Sequence, residues 1–153
     1  MIDIIPFEEE YAAEFRKLNV QWLQEYFEVE TYDEHQLSHP LPEIIDKGRY
    51  IFLAMKDDKI VGTAALMKET DVSFELTKMS VTKNSQGKGI SKMLMDACLK
   101  LAKDKKCNRL SLYSNTKLAT AIRLYHRYAF TEIPLETNSH YASTNIKMEL
   151  KLT

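Results

Sequence analysis

The sequence predicts an α/β (α+β) fold, a mixed sheet covered by helices, and three observations predict it. Stretches of period two and of period 3.6 interleave in the order β, α, α, β, β, β, α, β, α, β, β. A strand-like run, Phe74 to Thr82, passes through a turn with two glycines straight into a strongly periodic helix. The chain has 153 residues, 44% of them hydrophobic, which suits a single domain spanning residues 1–153 with a real core.

Ile2 to Ile5 is a short strand that Pro6 ends, because proline donates no ladder hydrogen bond. Tyr11, Phe15, Leu18 and Trp22 then recur at spacings of four, three and four, the apolar stripe of an amphipathic helix. Between Tyr32 and Pro42 this periodicity fails, and Pro40 and Pro42 mark a loop before a short helix, Glu43 to Lys47. Tyr50 to Met55 and Ile60 to Met67 are apolar strands around the turn Lys56-Asp57-Asp58-Lys59, a hairpin signal. Val72, Phe74 and Leu76 alternate on one face of the next strand, yet the following apolar pair is Met79 and Val81. The phase slips by one between Leu76 and Met79, and a β-bulge there absorbs the slip. A strand buried on both faces, where alternation carries no meaning, is the alternative. Ile90, Leu94, Ala97 and Leu101 make the core face of the next helix, and Arg109 to Tyr113 is another strand. Leu118, Ile122 and Tyr125 trace one more helix before strands near Phe130 to Leu135 and Asn145 to Leu152.

The richest motif is Gln86-Gly87-Lys88-Gly89-Ile90-Ser91. Two glycines at a strand-to-helix junction let the backbone turn sharply and aim several N–H groups at one point, where the positive end of the helix dipole adds its pull. Such a loop suits a pyrophosphate, with Lys88 as an added cation and no side chain on either glycine to hold a bulky ligand away. Two phosphate loops are excluded by spacing. A dinucleotide fingerprint needs a small residue where this chain has Lys92, and a Walker loop needs glycine where it has Thr82. The pattern Gln-x-x-Gly-x-Ser resembles instead the acetyl-CoA pyrophosphate loop of the GNAT superfamily of N-acetyltransferases, with Ser91 where Gly or Ala is usual. Further on, Ala121-Ile122-Arg123-Leu124-Tyr125-His126-Arg127-Tyr128-Ala129-Phe130, preceded by Ser114-Asn115, is similar to that family's second cofactor motif. Ala129 replaces the usual glycine, which normally supplies a left-handed helix cap.

The resemblance covers the chain from about Tyr50 onward and implies a mostly antiparallel sheet of about six to seven strands, about four helices and a V-shaped splay between the central strands. It implies acetyl-CoA as co-substrate, with pyrophosphate on Gln86, Gly87, Lys88, Gly89, Ile90 and Ser91, and pantetheine along Met79, Ser80 and Val81. Ala121 and Asn115 match positions that contact the cofactor in related enzymes; for Asn115, capping of the next helix is the competing role. Acyl transfer then sets requirements of its own. An alkylammonium of pKa near 10.4 is only about one part in a thousand neutral at pH 7, a handicap of roughly 4 kcal/mol, so a base or a proton-accepting water chain is useful. Glu75 precedes Val81 by six residues, the offset at which several family members carry a catalytic glutamate; a water relay or a merely solvated strand glutamate are the alternatives. Tyr125 matches the tyrosine that protonates the departing thiolate, against a purely packing role in the core.

Other features narrow the class. Cys98 and Cys107 are too few for a disulfide framework and lack a paired histidine, and no His-Cys-carboxylate spacing suggests a metal. No signal peptide or membrane span is expected, which points to a soluble cytoplasmic protein with no membrane partner. A formal charge of −1 argues against a nucleic-acid partner, but residues 1–46 carry twelve acidic residues against Arg16 and Lys17. That excess of ten suggests a cationic acceptor near an acidic wall, or simply a solvated surface. The expected activity is direct acetyl transfer, without an acyl-enzyme, to a small-molecule amine or to a lysine or N-terminal amine. The competing reading is a CoA-binding module with little catalysis; a homodimer is allowed, and the acceptor is not legible.

Overall fold

A computed structural model describes residues 1–26, 50–136 and 144–152. Its strands are β1 (Ile2–Pro6), β2 (Tyr50–Lys56), β3 (Lys59–Thr70), β4 (Ser73–Val81), β5 (Arg109–Ser114), β6 (Thr131–Ile133) and β7 (Ile146–Lys151). They form one sheet in the order β1-β2-β3-β4-β5-β7-β6. Every neighbouring pair is antiparallel except β4 and β5, which run parallel. Parallel neighbours need a crossover, and the helix α2 (Ile90–Asp104) supplies it. With α1 (Ala12–Tyr26) and α3 (Ala119–Arg127) this makes three α-helices among the described residues. The short helix expected over Glu43 to Lys47 lies outside them, as does the side chain of Trp22.

Period-two alternation sorts the sheet into two faces. On one, Ala54, Ala64, Leu66, Leu76 and Leu110 pack with Leu94, Met95 and Cys98 of α2. On the other, Ile51, Leu53, Ala65 and Met67 pack with Phe15 of α1. Fully burying residues such as Leu94, Met95 or Phe15 stabilises by about 1.5–3 kcal/mol each, so these two patches fix which side each helix takes. Gly62 on β3 is set by the α2 face: a Cβ there would lie 3.1 Å from both Ile90 and Leu94. The β2–β3 hairpin closes through Asp57 and Asp58 at φ +50° and +63°, the paired left-handed conformation of a type I′ turn that aspartate tolerates.

Two irregularities of β4 open the sheet at its centre. Thr63 opposes Ser80 and Ala65 opposes Thr77, so two steps on β3 meet three on β4. The extra residue is Lys78, at φ +55°, which is the bulge that the slipped alternation called for. Val72 departs from its expected place on the Phe74 and Leu76 face: it precedes the first residue of β4, in the turn after β3, and is 49% exposed. The second irregularity is short pairing. Only Ser73, Phe74 and Glu75 pair with β5, opposite Arg109, Leu110 and Ser111. Beyond Glu75 the strands part, and β4 runs on to Val81 while β5 runs on to Ser114. This is the V-shaped splay. Among the described residues no helix is long and apolar enough to cross a membrane.

Candidate active site

A cleft of about 710 Å³ occupies the splay. At one end stands the head of α2. Its N-cap, Gly89, is left-handed at φ +79° and, having no side chain, gives the first amides of the helix no side-chain capping bond. Gly87 is also left-handed, at φ +78°, and a Cβ on either glycine would meet no atom within 4 Å, leaving space over the turn for a ligand. Gln86 steadies the turn by donating from Nε2 to the Val81 carbonyl at 3.2 Å. Gln86, Gly87, Gly89, Ile90 and Ser91 all line the cleft; Lys88 is exposed and does not.

Met79, Ser80 and Val81 form the β4 lip of the cleft. Ser80 Oγ is buried and, among the described residues, is the one such side-chain atom with no hydrogen-bond partner, which fits a lip that awaits a polar ligand. Asn115 stands past the end of β5 and also lines the cleft. Its Oδ1 accepts from the Lys117 amide at 2.9 Å, a local turn of the kind asparagine forms; the residue at the N-cap of α3 is Leu118. Ala121, on the first turn of α3, completes this side.

Tyr125 reaches the same cleft from α3 and is 8% exposed. Burial pushes its phenol up to about 12, so it carries its proton throughout the neutral range. The helix end fixes it. Ala129 is left-handed at φ +70°, the Phe130 amide bonds the Tyr125 carbonyl at 3.0 Å and the Ala129 amide bonds the His126 carbonyl at 3.0 Å, a Schellman cap. The Phe130 ring sits 5.9 Å from the Tyr125 ring, supplying the apolar contact that accompanies such a cap. Alanine therefore adopts the conformation usually left to glycine, at a cost of about 1 kcal/mol.

Glu75 lies at the last rung of the β4–β5 pairing, on the α1 face opposite Met67, and lines the cleft at 8% exposure. That excludes a solvated strand glutamate. Residues that sequence reasoning missed gather on the same face. Asn19 lines the cleft from α1, and its Nδ2 donates to the Phe15 carbonyl at 3.0 Å and to Thr63 Oγ1 at 3.2 Å. Thr63 Oγ1 in turn donates to the Lys78 carbonyl at 2.6 Å. Asn19 is four residues after Phe15 on the apolar stripe, and a buried amide there was the available signal. At the β5 rim, Tyr113 donates to Glu136, which pairs with Lys147; that pairing holds the Glu136 carboxyl below its usual range.

Cys98 is buried, and burial pushes its thiol up to about 12, which removes it as a nucleophile at neutral pH. His126 is exposed on α3, while His35, His39 and His140 lie outside the described residues. Among the described residues no three His, Cys, Asp or Glu side chains gather to hold a metal. Of the acidic residues of this segment, Asp3, Glu8, Glu9, Glu10 and Glu14 are exposed to solvent, the side chain of Glu25 is not among those described, and Glu28, Glu30, Asp33, Glu34, Glu43 and Asp46 lie outside the described residues.

Residues 8–130 match the model of the acetyltransferase (GNAT) family. No curated protein matches the chain. Among solved structures, an acetyltransferase of the GNAT family from Staphylococcus aureus Mu50 is similar at a TM-score of 0.91 and 21% identity, with 100% of each chain covered. The PaiA N-acetyltransferase of Thermoplasma acidophilum, in complex with coenzyme A, gives 0.79 at 20% identity, covering 99% of each. The protein yncA of Salmonella typhimurium, with acetyl-CoA, gives 0.80 at 16% identity, covering 99% of this chain and 94% of that one. At these identities the likeness is one of fold.

Proposed function

The chain belongs to the acetyltransferase (GNAT) family, and from that premise we propose that it is an N-acetyltransferase that passes acetyl from acetyl-CoA directly to a primary amine in a ternary complex. The observation that carries this reading is the cleft itself, which runs from the uncapped head of α2 along the bulged lip of β4 to Tyr125 and Glu75. In this reading the amides of Gly87 to Ser91 hold the pyrophosphate and the helix dipole stabilises its charge. Lys88 contributes its amide to that set and its ammonium adds a positive field at the turn. Met79, Ser80 and Val81 line the pantetheine arm, with Ala121 and Asn115 opposite.

The chemistry needs two protons removed from the acceptor nitrogen and one supplied to the sulfur. Glu75, directly or through a water, takes the proton of the incoming ammonium, and the free amine attacks the thioester carbonyl. A backbone amide at the β4 bulge steadies the developing oxyanion. As the carbon–sulfur bond breaks, Tyr125 gives its proton to the thiolate. The nitrogen, still carrying the extra proton it held on attack, returns one to the phenolate directly or through water, leaving N-acetylamine, free CoA and a restored Tyr125, while Glu75 releases its proton to solvent. The acceptor is a small-molecule amine or a lysine or N-terminal amine.

The deciding experiment is free-thiol release from acetyl-CoA across a panel of amines. Amine-dependent release with one acetylated product per thiol is expected; CoA binding without amine-dependent release would leave a CoA-binding module. The panel also tests the base. Glu75→Gln should lower kcat/KM by about 10- to 100-fold near pH 7, and the loss should shrink as pH rises toward the amine pKa, where the acceptor deprotonates unaided. Superimposable pH profiles for the two proteins would remove Glu75 from the reaction.

A further inference from the structure

The bulge that shapes the β4 lip is held from outside the strand. Lys78 sits at φ +55°, and a non-glycine residue persists there only where its surroundings over-determine it. Its carbonyl can only accept, so the Thr63 hydroxyl must donate to it, and the Thr63 lone pair must take the Asn19 proton. The donors run one way, from the buried amide on α1 to the bulge, each polarising the next. The peptide between Lys78 and Met79 is trans, so its C=O and N–H point in opposite directions. A Lys78 carbonyl turned to Thr63 on β3 sends the Met79 N–H away from β3, toward the side on which β4 leaves β5.

We propose that Asn19 and Thr63 are positioning residues, whose hydrogen bonds to the Lys78 carbonyl hold the Met79 amide aimed at the acyl end of the bound thioester. The inference rests on the acetyl-CoA reading of the cleft. Neither side chain touches the reacting atoms in this scheme; each acts through the peptide it fixes. Thr63→Val keeps the shape of the side chain and removes the donor, whereas Thr63→Ser keeps the donor.

The test monitors the Gly89 and Met79 amides by nuclear magnetic resonance on adding acetyl-CoA, alongside kcat per folded molecule. In the parent protein both amides should shift. Thr63→Val should keep the Gly89 response, lose that of Met79, and lower kcat by about 10- to 100-fold with CoA affinity within about threefold. Thr63→Ser should restore both, and Asn19→Leu, which breaks the bonds to Thr63 and to the Phe15 carbonyl but leaves Thr63 bonded to Lys78, should move both by less. Should Thr63→Val not fold, Asn19→Leu carries the comparison. An intact Met79 response or unchanged kcat in Thr63→Val, or a Thr63→Ser protein as impaired as Thr63→Val, would overturn the proposal. No shift at either amide in the parent protein would remove the acetyl-CoA site and the proposal with it. A Thr63-dependent Met79 shift in a protein that acetylates no amine would sink only the transfer reading.

Discussion

Gly89→Asp should weaken CoA binding by about 30- to 150-fold, the equivalent of about 2–3 kcal/mol. The magnitude comes from three effects that share a sign. A unit charge placed about 4 Å from a phosphate costs about 4 kcal/mol at the effective dielectric of a protein surface, and salt screens part of it. The carboxylate also competes for the amides at the head of α2, to which Gly89 gives no side-chain cap. Finally, a side chain fills the space over the turn, where a Cβ at present meets nothing within 4 Å. Folding should survive, because aspartate is among the residues that tolerate the left-handed conformation of Gly89. Calorimetric titration with CoA checks it. Unchanged affinity in a folded Gly89→Asp protein would take the loop out of the binding site.

Tyr125→Phe should lower kcat by about 10- to 1000-fold while CoA affinity stays near that of the parent, the pattern of a group used only as the thiolate leaves. Phenylalanine keeps the ring against Phe130 and the cap at the end of α3, so the fold is not at issue. The raised phenol adds a pH signature. A pKa moved from 10 to about 12 favours the protonated form in the folded state, so the acid stays competent and its contribution to stability stays complete below pH 10. Both are lost only as pH climbs through about 12. The parent enzyme should therefore show kcat/KM rising with pH as the acceptor deprotonates, with no falling limb from this tyrosine below pH 10. Equal turnover in the two proteins would refute its role.

The parts of the fold that were legible in the sequence are those written as short-range periodicity. The slipped alternation between Leu76 and Met79 located the bulge because an inserted residue shifts every later side chain to the other face. The two glycines located the head of α2, where φ values of +78° and +79° are required. Val72 continued the same alternation yet lies outside it, since a turn borrows apolar residues without placing them on a face. Lys88, between the two glycines, is exposed and is not among the residues that line the cleft, a distinction that its neighbours along the chain do not carry. Thr63 and Asn19 were invisible for a different reason. Their bond spans 44 residues and joins a helix to a strand, a pairing that only tertiary packing creates.

The three rungs joining Ser73, Phe74 and Glu75 to β5 make the sheet a pair of blades with a pivot between them. Val81 lies six residues beyond Glu75, roughly 20 Å along the strand, so a rotation of about 5° between the blades displaces the tip of β4 by about 1.7 Å. Glu75, on the pivot, hardly moves. The proposed proton acceptor thus sits at the last of the paired rungs, where a rotation between the blades would leave its distance to the β5 blade nearly unchanged. Entry and exit of a long thioester can open the tips without dragging the base out of register.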